Sequence, residues 1–511
     1  MKREKIAVLS VSIIIFTLSF VYFALITPTV PFDGDDWRYI GTMRLPIPLW
    51  GAWNPTRVLP EVLMPICGYI AAFIFYPFSG NYIGAITVAT ALVISLFVMG
   101  MFYCFYLFTR RHLKLTWREA LLTQILFFLS FFFFFKKISQ ESYSMFWTGD
   151  LACDFYYLIP GLLNASVILI ILQTPNFTVT FSKLNNLKKG FFLVALYFAI
   201  FSNTQLNIIL ATVCFTKLVE IFWNIAKNRE ILSYQVWRKI WFYVVILILW
   251  LLTIAFDLNG ARAQRVQDAT QGSLKARFFS TLNQIQQFVF LQNKLFLFIF
   301  IILILVAVIF GILKKESNIL EAVVISIVSM LISLIYLLLA YMQAGGTYAA
   351  RPDAMWAVAF FFLLAANIGL AYLIKYLSIL KLGGIWPLVI VLLSLVAFNF
   401  NYQPLPPSNA QVDSKTKVAV NNYIINQIVE ADKSGKASVV VKVPQDQDNI
   451  NRKMTETNWP HSYDMEKWLQ NTLYIHHIIR SRIRIVFKPE RKITTRFYEN
   501  KKEQQPIYPA E

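Results

Sequence analysis

The chain opens on MKREK (1–5), runs through IAVLSVSIIIFTLSFVYFALI (6–26) and emerges as TPTVPFDGDDWRY (27–39). An α-helix rises about 1.5 Å per residue, so about 20 apolar residues reach across a hydrocarbon layer roughly 30 Å thick. Residues 6–26 are long enough for this and carry no charged side chain. A basic start before an apolar stretch has the outline of a signal peptide. This stretch exceeds the usual apolar region of about 7–15 residues, and no A-x-A site follows it. The reading is an uncleaved first span with its N-terminus in the cytoplasm.

Outward from that segment the pattern recurs. With 57% hydrophobic residues and a mean hydropathy of +0.55, a chain of 511 residues holds more apolar side chain than a soluble fold could keep inside. Its solvent is lipid. The sequence predicts eleven spans, near residues 6–26, 82–108, 119–135, 155–172, 190–202, 205–223, 238–256, 295–313, 319–342, 354–374 and 385–400. Val62 to Phe78 is apolar enough to add another, yet Pro60, Pro65, Gly68 and Pro77 break it, and it is expected to lie at or dip into the interface. The run from Gly190 to Trp223 is interrupted by Ser202-Asn203-Thr204-Gln205 and reads as two spans joined by a tight outer turn. The aromatic run Phe131 to Phe135 reads as lipid-facing filler at a span end.

The fold class is therefore an α-helical polytopic membrane protein. Residues 1–403 form its transmembrane domain, with a large first periplasmic loop at 27–81, and 404–511 form a periplasmic tail. Beyond Pro404-Leu405-Pro406-Pro407 the tail turns polar. It shows a helix-like stretch (Val418 to Asp432), a β-branched run (Ser438 to Val443), a second helix (Met465 to Arg480) and an alternating strand, Arg482-Ile483-Arg484-Ile485-Val486-Phe487. That order predicts a small α/β domain.

A formal charge of +19 would suggest nucleic acid in a soluble protein, but here Lys and Arg gather in short segments between apolar runs and in the tail. Topology and anionic membrane lipid account for them, and no nucleic-acid partner is expected. With the N-terminus inside, the cytoplasmic loops are Arg110 to Lys114, Lys183 to Lys189, Lys227 to Lys239, Lys314-Lys315 and Lys375 to Lys381, all basic and nearly free of acid. Counting Val62 to Phe78 as a full span would invert every later loop and put Arg110-Arg111 outside. The four cysteines (Cys67, Cys104, Cys153, Cys214) have neither metal-ligand spacing nor a paired framework.

The same topology collects the unusual polar residues on the outer face. Asp33-Gly34-Asp35-Asp36-Trp37-Arg38 follows the first span directly, and three carboxylates so close raise one another's proton affinity unless donors or cations compensate. An ordinary solvated loop is the bland reading. Placement at the membrane surface, between Pro28, Pro31 and an interfacial Trp37, favours chemistry. Asp35 or Asp36 suits removal of a proton from a hydroxyl. Arg57, in Trp53-Asn54-Pro55-Thr56-Arg57, suits a departing phosphate, against the alternative of snorkelling to headgroups. Asp150 and Asp154 lie in Trp147-Thr148-Gly149-Asp150-Leu151-Ala152-Cys153-Asp154-Phe155-Tyr156-Tyr157, where aromatic faces and acids together suit a sugar, or an interfacial belt. Arg262 and Arg265 are a further phosphate clamp or headgroup contact. Arg351, in Gly345 to Asp353, either meets a phosphate or pairs with Asp353. His461, His476 and His477 lack metal spacing, and His112 sits in a cytoplasmic basic loop.

These residues resemble the serotype-converting glucosyltransferases that decorate bacterial O-antigen, a group of polytopic GT-C-class glycosyltransferases. The resemblance is carried by Asp33-Gly34-Asp35-Asp36-Trp37-Arg38-Tyr39, by Trp53-Asn54-Pro55-Thr56-Arg57, and by Trp459-Pro460-His461 through Met465, Trp468 and His476; in architecture it runs end to end. It implies a GT-C-like fold in the bacterial inner membrane, an undecaprenyl-phosphate-glucose donor, a lipid-linked O-antigen acceptor, and a donor synthase and flippase in the same pathway. It also implies a catalytic carboxylate in the first outer loop: Asp35 or Asp36, with Asp33 the third candidate. Some GT-C relatives hold a divalent metal there; this sequence gives no independent sign of one, and no cofactor is expected. A lipid-linked saccharide flippase would place charges near mid-span and show two related halves, neither of which the sequence contains. An O-antigen polymerase or ligase is the other alternative, and the acidic group right after the first span favours a transferase over it.

Overall fold

A computed structural model describes residues 2–44, 54–138, 141–228, 233–260, 272–344, 346–380, 384, 386–397, 414–445, 459, 462 and 464–499. Its first helix, α1 (Lys2–Ile26), ends where Pro28 withholds an amide and pushes Thr27 out of helical geometry. Then come α2 (Gly34–Gly41), α3 (Val58–Ser79), α4 (Tyr82–Arg111), α5 (Trp117–Phe133), α6 (Leu151–Ile171), α7 (Asn186–Ile200), α8 (Ile208–Asn228) and α9 (Tyr234–Leu258). The chain continues through α10 (Leu274–Phe290), α11 (Lys294–Leu313), α12 (Ser317–Ala344), α13 (Trp356–Ile379), α14 (Trp386–Ala397) and α15 (Ser414–Lys433). Among the described residues, nine helices are long and apolar enough to cross a membrane. Eight coincide with expected spans and the ninth is α3; α5, α7 and α14 fall on the other three but are shorter.

Contacts between distant helix ends define two faces. On one, Arg110 meets Glu4 at 3.3 Å, Arg111 meets Gln173 at 2.6 Å, His112 meets the Asn318 carbonyl at 3.1 Å, and Lys217 and Lys375 pair with Glu321 and Glu316. On the other, Thr29 meets Thr90 at 2.7 Å, Ala152 meets Asp36 at 2.7 Å, Asn203 meets the Tyr156 carbonyl at 2.8 Å, and Thr204 meets Asp257 at 2.8 Å. The basic loops therefore gather at one end of the bundle and the acidic first loop at the other. Caps fit this order: Thr116 and Glu119 form a capping box at the start of α5, and Asn81 accepts from the Gly84 amide to start α4.

Two expectations need correction or refinement. Phe131 to Phe135 is not lipid-facing. All five rings are buried, because α5 ends inside the bundle: Phe131 meets Trp356, Phe133 meets Phe296, Phe134 meets Phe362 and Phe135 meets Phe288. The second concerns Val62 to Phe78, which belongs to one continuous helix despite its prolines. Pro60 falls in the first turn, where its missing amide costs no helical bond, Pro65 is held within the α-helical part, and the backbone widens to π geometry over Ala71–Phe75 before Pro77. Both its ends nevertheless sit on the acidic face: Val58 and Leu59 donate to the Phe201 carbonyl in the α7–α8 turn, and Tyr69 and Phe73 pack on His476 and His477 of the tail.

The tail elements follow their expected order, the first strand with the bounds expected and the others with shifted ends. After α15 come β1 (Ser438–Val443), α16 (Met465–Ile475) and β2 (Arg484–Pro489), and the strands pair in parallel with Ser438 opposite Arg484. The second helix stops short of Arg480, because His477 turns left-handed at φ 56. Residues 398–413, including the boundary expected at 404, lie outside the described residues. The tail packs directly on the first loop. Thr472 donates to the Trp37 carbonyl at 2.6 Å, and Tyr82 bonds the His476 ring at 2.5 Å.

Candidate functional site

Helix α2 sorts the three first-loop carboxylates. Asp33 is its N-cap and accepts from the Asp35 amide at 3.2 Å, while Asp36 reaches back to the Asp33 amide at 3.1 Å, closing a capping box. Asp36 also accepts from the Phe32 amide at 2.8 Å and, across the chain, from the Ala152 amide at 2.7 Å. It is fully buried. Burial, with Asp150 and Asp33 close by, pushes its carboxyl well above the usual range, and burial with Asp150 close by pushes Asp33 up to about 6. Asp35 is exposed. On a helix its neighbours are three and four residues on, so it shares a face with Arg38 and Tyr39. Trp37, Ile40 and Gly41 turn inward.

Arg38 and Tyr39 line a cleft of about 480 Å³ whose other walls are Thr42, Met43, Arg44, Asn54, Thr56, Arg57, Glu61, Phe256, Asp257 and Gly260. Arg44 is braced by Glu61 at 3.0 Å and by the Thr56 and Asn54 carbonyls, and Glu61 accepts from the Tyr156 hydroxyl at 3.1 Å. Arg57 stands at φ 59, a left-handed conformation that is strained without glycine, because the amides after it are pinned to Phe201. That geometry sends its guanidinium over the Tyr156 ring at 5.8 Å and to 4.0 Å from Asp257. Three arginines and two carboxylates thus meet in one opening, with Phe256 and Met43 supplying an apolar margin; Asp35 does not line it, and is related to it by its helical spacing to Arg38 and Tyr39.

A second polar group lies at the start of α6. Asp150 caps the helix by accepting from the Cys153 amide at 2.7 Å, and Asp154, buried, accepts from the Thr148 hydroxyl at 2.9 Å. Arg351 pairs with Asp353 through two bonds of 3.1 and 2.6 Å, contacts the Cys153 sulfur at 3.1 Å and lies over the Tyr157 and Tyr348 rings. Its fork is therefore engaged by the second of the two partners the sequence offered it. Lys417, from α15, is buried, and that burial lowers its proton affinity on balance, against the opposing influence of Asp36, Asp150, Asp33 and Asp154.

Asp33, Asp35, Asp36, Asp150, Asp154, Arg57 and Arg351 thus all stand on one face. Arg57 belongs to the cleft, while Arg351 touches the acidic group through Gly149 and Cys153. Arg262, Arg265, Trp53, Pro460 and His461 lie outside the described residues. Sequence reasoning missed Arg44, Glu61, Asp257 and Lys417; only the helical spacing of Asp35, Arg38 and Tyr39 could have pointed to the cleft. Among the described residues no three His, Cys, Asp or Glu side chains are grouped to hold a metal ion. Compared with known protein families, curated proteins and solved structures, the chain matches none.

Proposed function

We propose that the chain is a membrane glycosyltransferase that moves glucose, or a related hexose, from polyprenyl phosphate to a hydroxyl of a lipid-linked acceptor. The observation that carries this reading is the division of labour on α2. Asp36 is consumed by three backbone amides, whereas Asp35 is exposed, three and four residues before the Arg38 and Tyr39 that line the arginine-rich cleft. In such a reaction the acceptor oxygen bonds to the anomeric carbon, its proton passes to a carboxylate, and the bond from that carbon to the phosphate oxygen breaks. The leaving group departs as a polyprenyl phosphate anion and needs only positive charge. Asp35 is the proposed base, and Arg57, with Arg38 and Arg44, the proposed phosphate ligands. Phe256, at the end of an apolar helix, offers the lipid tail a route to the bilayer.

The family resemblance supports the finer terms: an undecaprenyl-phosphate-glucose donor, a lipid-linked O-antigen acceptor, and a site on the periplasmic side of a bacterial inner membrane. With Asp35→Asn, transfer to the acceptor should fall by about 10²–10⁴-fold, the usual worth of a positioned general base, while membrane insertion and thermal stability stay at wild-type levels. The measurement is incorporation of labelled hexose from the polyprenyl donor by purified protein. Normal transfer by a stably inserted variant excludes Asp35 as the base.

A further inference from the structure

We infer that Glu61 is the positioning residue of the arginine-lined cleft, its carboxylate setting Arg44 and, through the Tyr156 hydroxyl, the ring under Arg57 to grip one phosphate. The inference deepens the transferase reading, which supplies the phosphate as ligand; the positioning itself stands on geometry. Glu61 lies near the start of α3, and its amide donates to the Arg57 carbonyl at 3.3 Å. Its own carbonyl accepts from the Arg44 amide at 3.2 Å. Its carboxylate is divided: one oxygen takes the Arg44 guanidinium at 3.0 Å and the other the Tyr156 hydroxyl at 3.1 Å. One residue therefore touches both arginines and the aromatic platform under the second.

These contacts leave donors for a ligand. The Thr56 carbonyl at 2.5 Å and the Asn54 carbonyl at 2.6 Å hold the same guanidinium as Glu61 does. Three of its five N–H groups are thus engaged among the described residues, leaving one on Nε and one on Nη2. Tyr156 carries the Arg57 guanidinium over its ring at 5.8 Å and Tyr39 against it at 5.2 Å, so fixing the Tyr156 hydroxyl also fixes what lies over the ring. Tyr39, Arg44, Arg57 and Glu61 all line the opening. Two effects of the Glu61 carboxylate compete there. Its charge repels a phosphate, whereas its bonds preorganise arginines that would otherwise sample many rotamers. Both members of the Arg44–Glu61 pair are partly open to water, which screens the repulsion, while a fork aligned on a phosphate acts through short charge-assisted bonds. Positioning therefore outweighs repulsion.

Binding of farnesyl monophosphate, a short isoprenyl phosphate, to the full chain in detergent tests this, with Kd read by isothermal titration. Glu61→Gln should weaken binding at least about 10-fold, roughly the contribution of one charge-assisted hydrogen bond, even though the change makes the cleft more positive. A carboxylate acting through its charge alone would give the opposite sign. In an Arg44→Gln background the same change should add little, because the group that Glu61 orients is gone. Tyr156→Phe keeps the ring and the Arg44–Glu61 pair; it should weaken binding less, and it carries the test should Glu61→Gln fail to insert. Unchanged or tighter binding in either variant, full additivity with Arg44→Gln, or no binding by wild type overturns the inference. Wild type that binds the phosphate with the coupling intact yet transfers no hexose would instead sink the transferase reading alone.

Discussion

At Asp33 one side chain holds two competing roles. As the N-cap of α2 it is stabilised when it accepts from Asp35, yet burial and the nearby Asp150 raise its carboxyl to about 6 from an ordinary 3.8. A folded-state value above the unfolded one means that the folded protein holds the proton more tightly. Its contribution to stability is therefore full below about pH 4 and is lost as pH rises through about 6. Asparagine caps a helix as well as aspartate does and cannot ionise. Asp33→Asn should thus match or exceed wild type in melting temperature at neutral pH, and its decline between about pH 4 and about pH 6 should be shallower. Parallel melting curves for the two proteins across that range would remove Asp33 as a titrating group. The three adjacent acids were legible in the sequence, but their separation into cap, exposed carboxylate and buried anchor was not. That separation depends on Ala152, far along the chain, donating to Asp36 and to neither neighbour.

Between elements, the closest approach in this region is α2 against α16. A Cβ added at Gly41 would lie 2.0 Å from the Thr472 hydroxyl oxygen and 3.0 Å from its backbone Cα, and one added at Gly34, two turns earlier on the same stripe, would meet Ser462 at 2.0 Å. Gly41→Ala should push the tail off the first loop at a cost of about 1–3 kcal/mol, the range for overpacking a tight contact. Limited proteolysis of the membrane-embedded protein would show it as faster cutting within the tail while the helical core stays intact; unchanged protection would mean that the tail is held elsewhere. The elements themselves were largely readable. The strand at Ser438–Val443 was expected where it lies, and β2 is displaced by only two residues from its alternating run. Docking was not readable, because it rests on a hydroxyl and a carbonyl 435 positions apart, Thr472 and Trp37, and periodicity says nothing about such pairs.

For the whole molecule, orientation turns on α3, since a crossing there would reverse every later loop. By length and composition alone it could cross. Its contacts argue that it does not: Val58 is tied to the turn that also binds Asp257 through Thr204, and past Gly80 the chain enters α4 at Tyr82, which bonds His476 of the same tail that grips Trp37. Both ends of α3 thus share a face with Asp35, while Arg110, Arg111, Lys217 and Lys375 occupy the opposite one, where the positive-inside rule puts the cytoplasm. Phe78, 90% exposed near the end of α3, is the reporter. In a background lacking the four native cysteines, Phe78→Cys and Asp35→Cys should both react with a membrane-impermeant maleimide applied to intact cells, and Lys315→Cys only after the membrane is opened. Labelling of position 78 with Lys315 rather than with position 35 would make α3 a crossing helix. It would also put Phe256 and Asp257 on the side opposite Arg38, Arg44 and Arg57, which one cleft brings together.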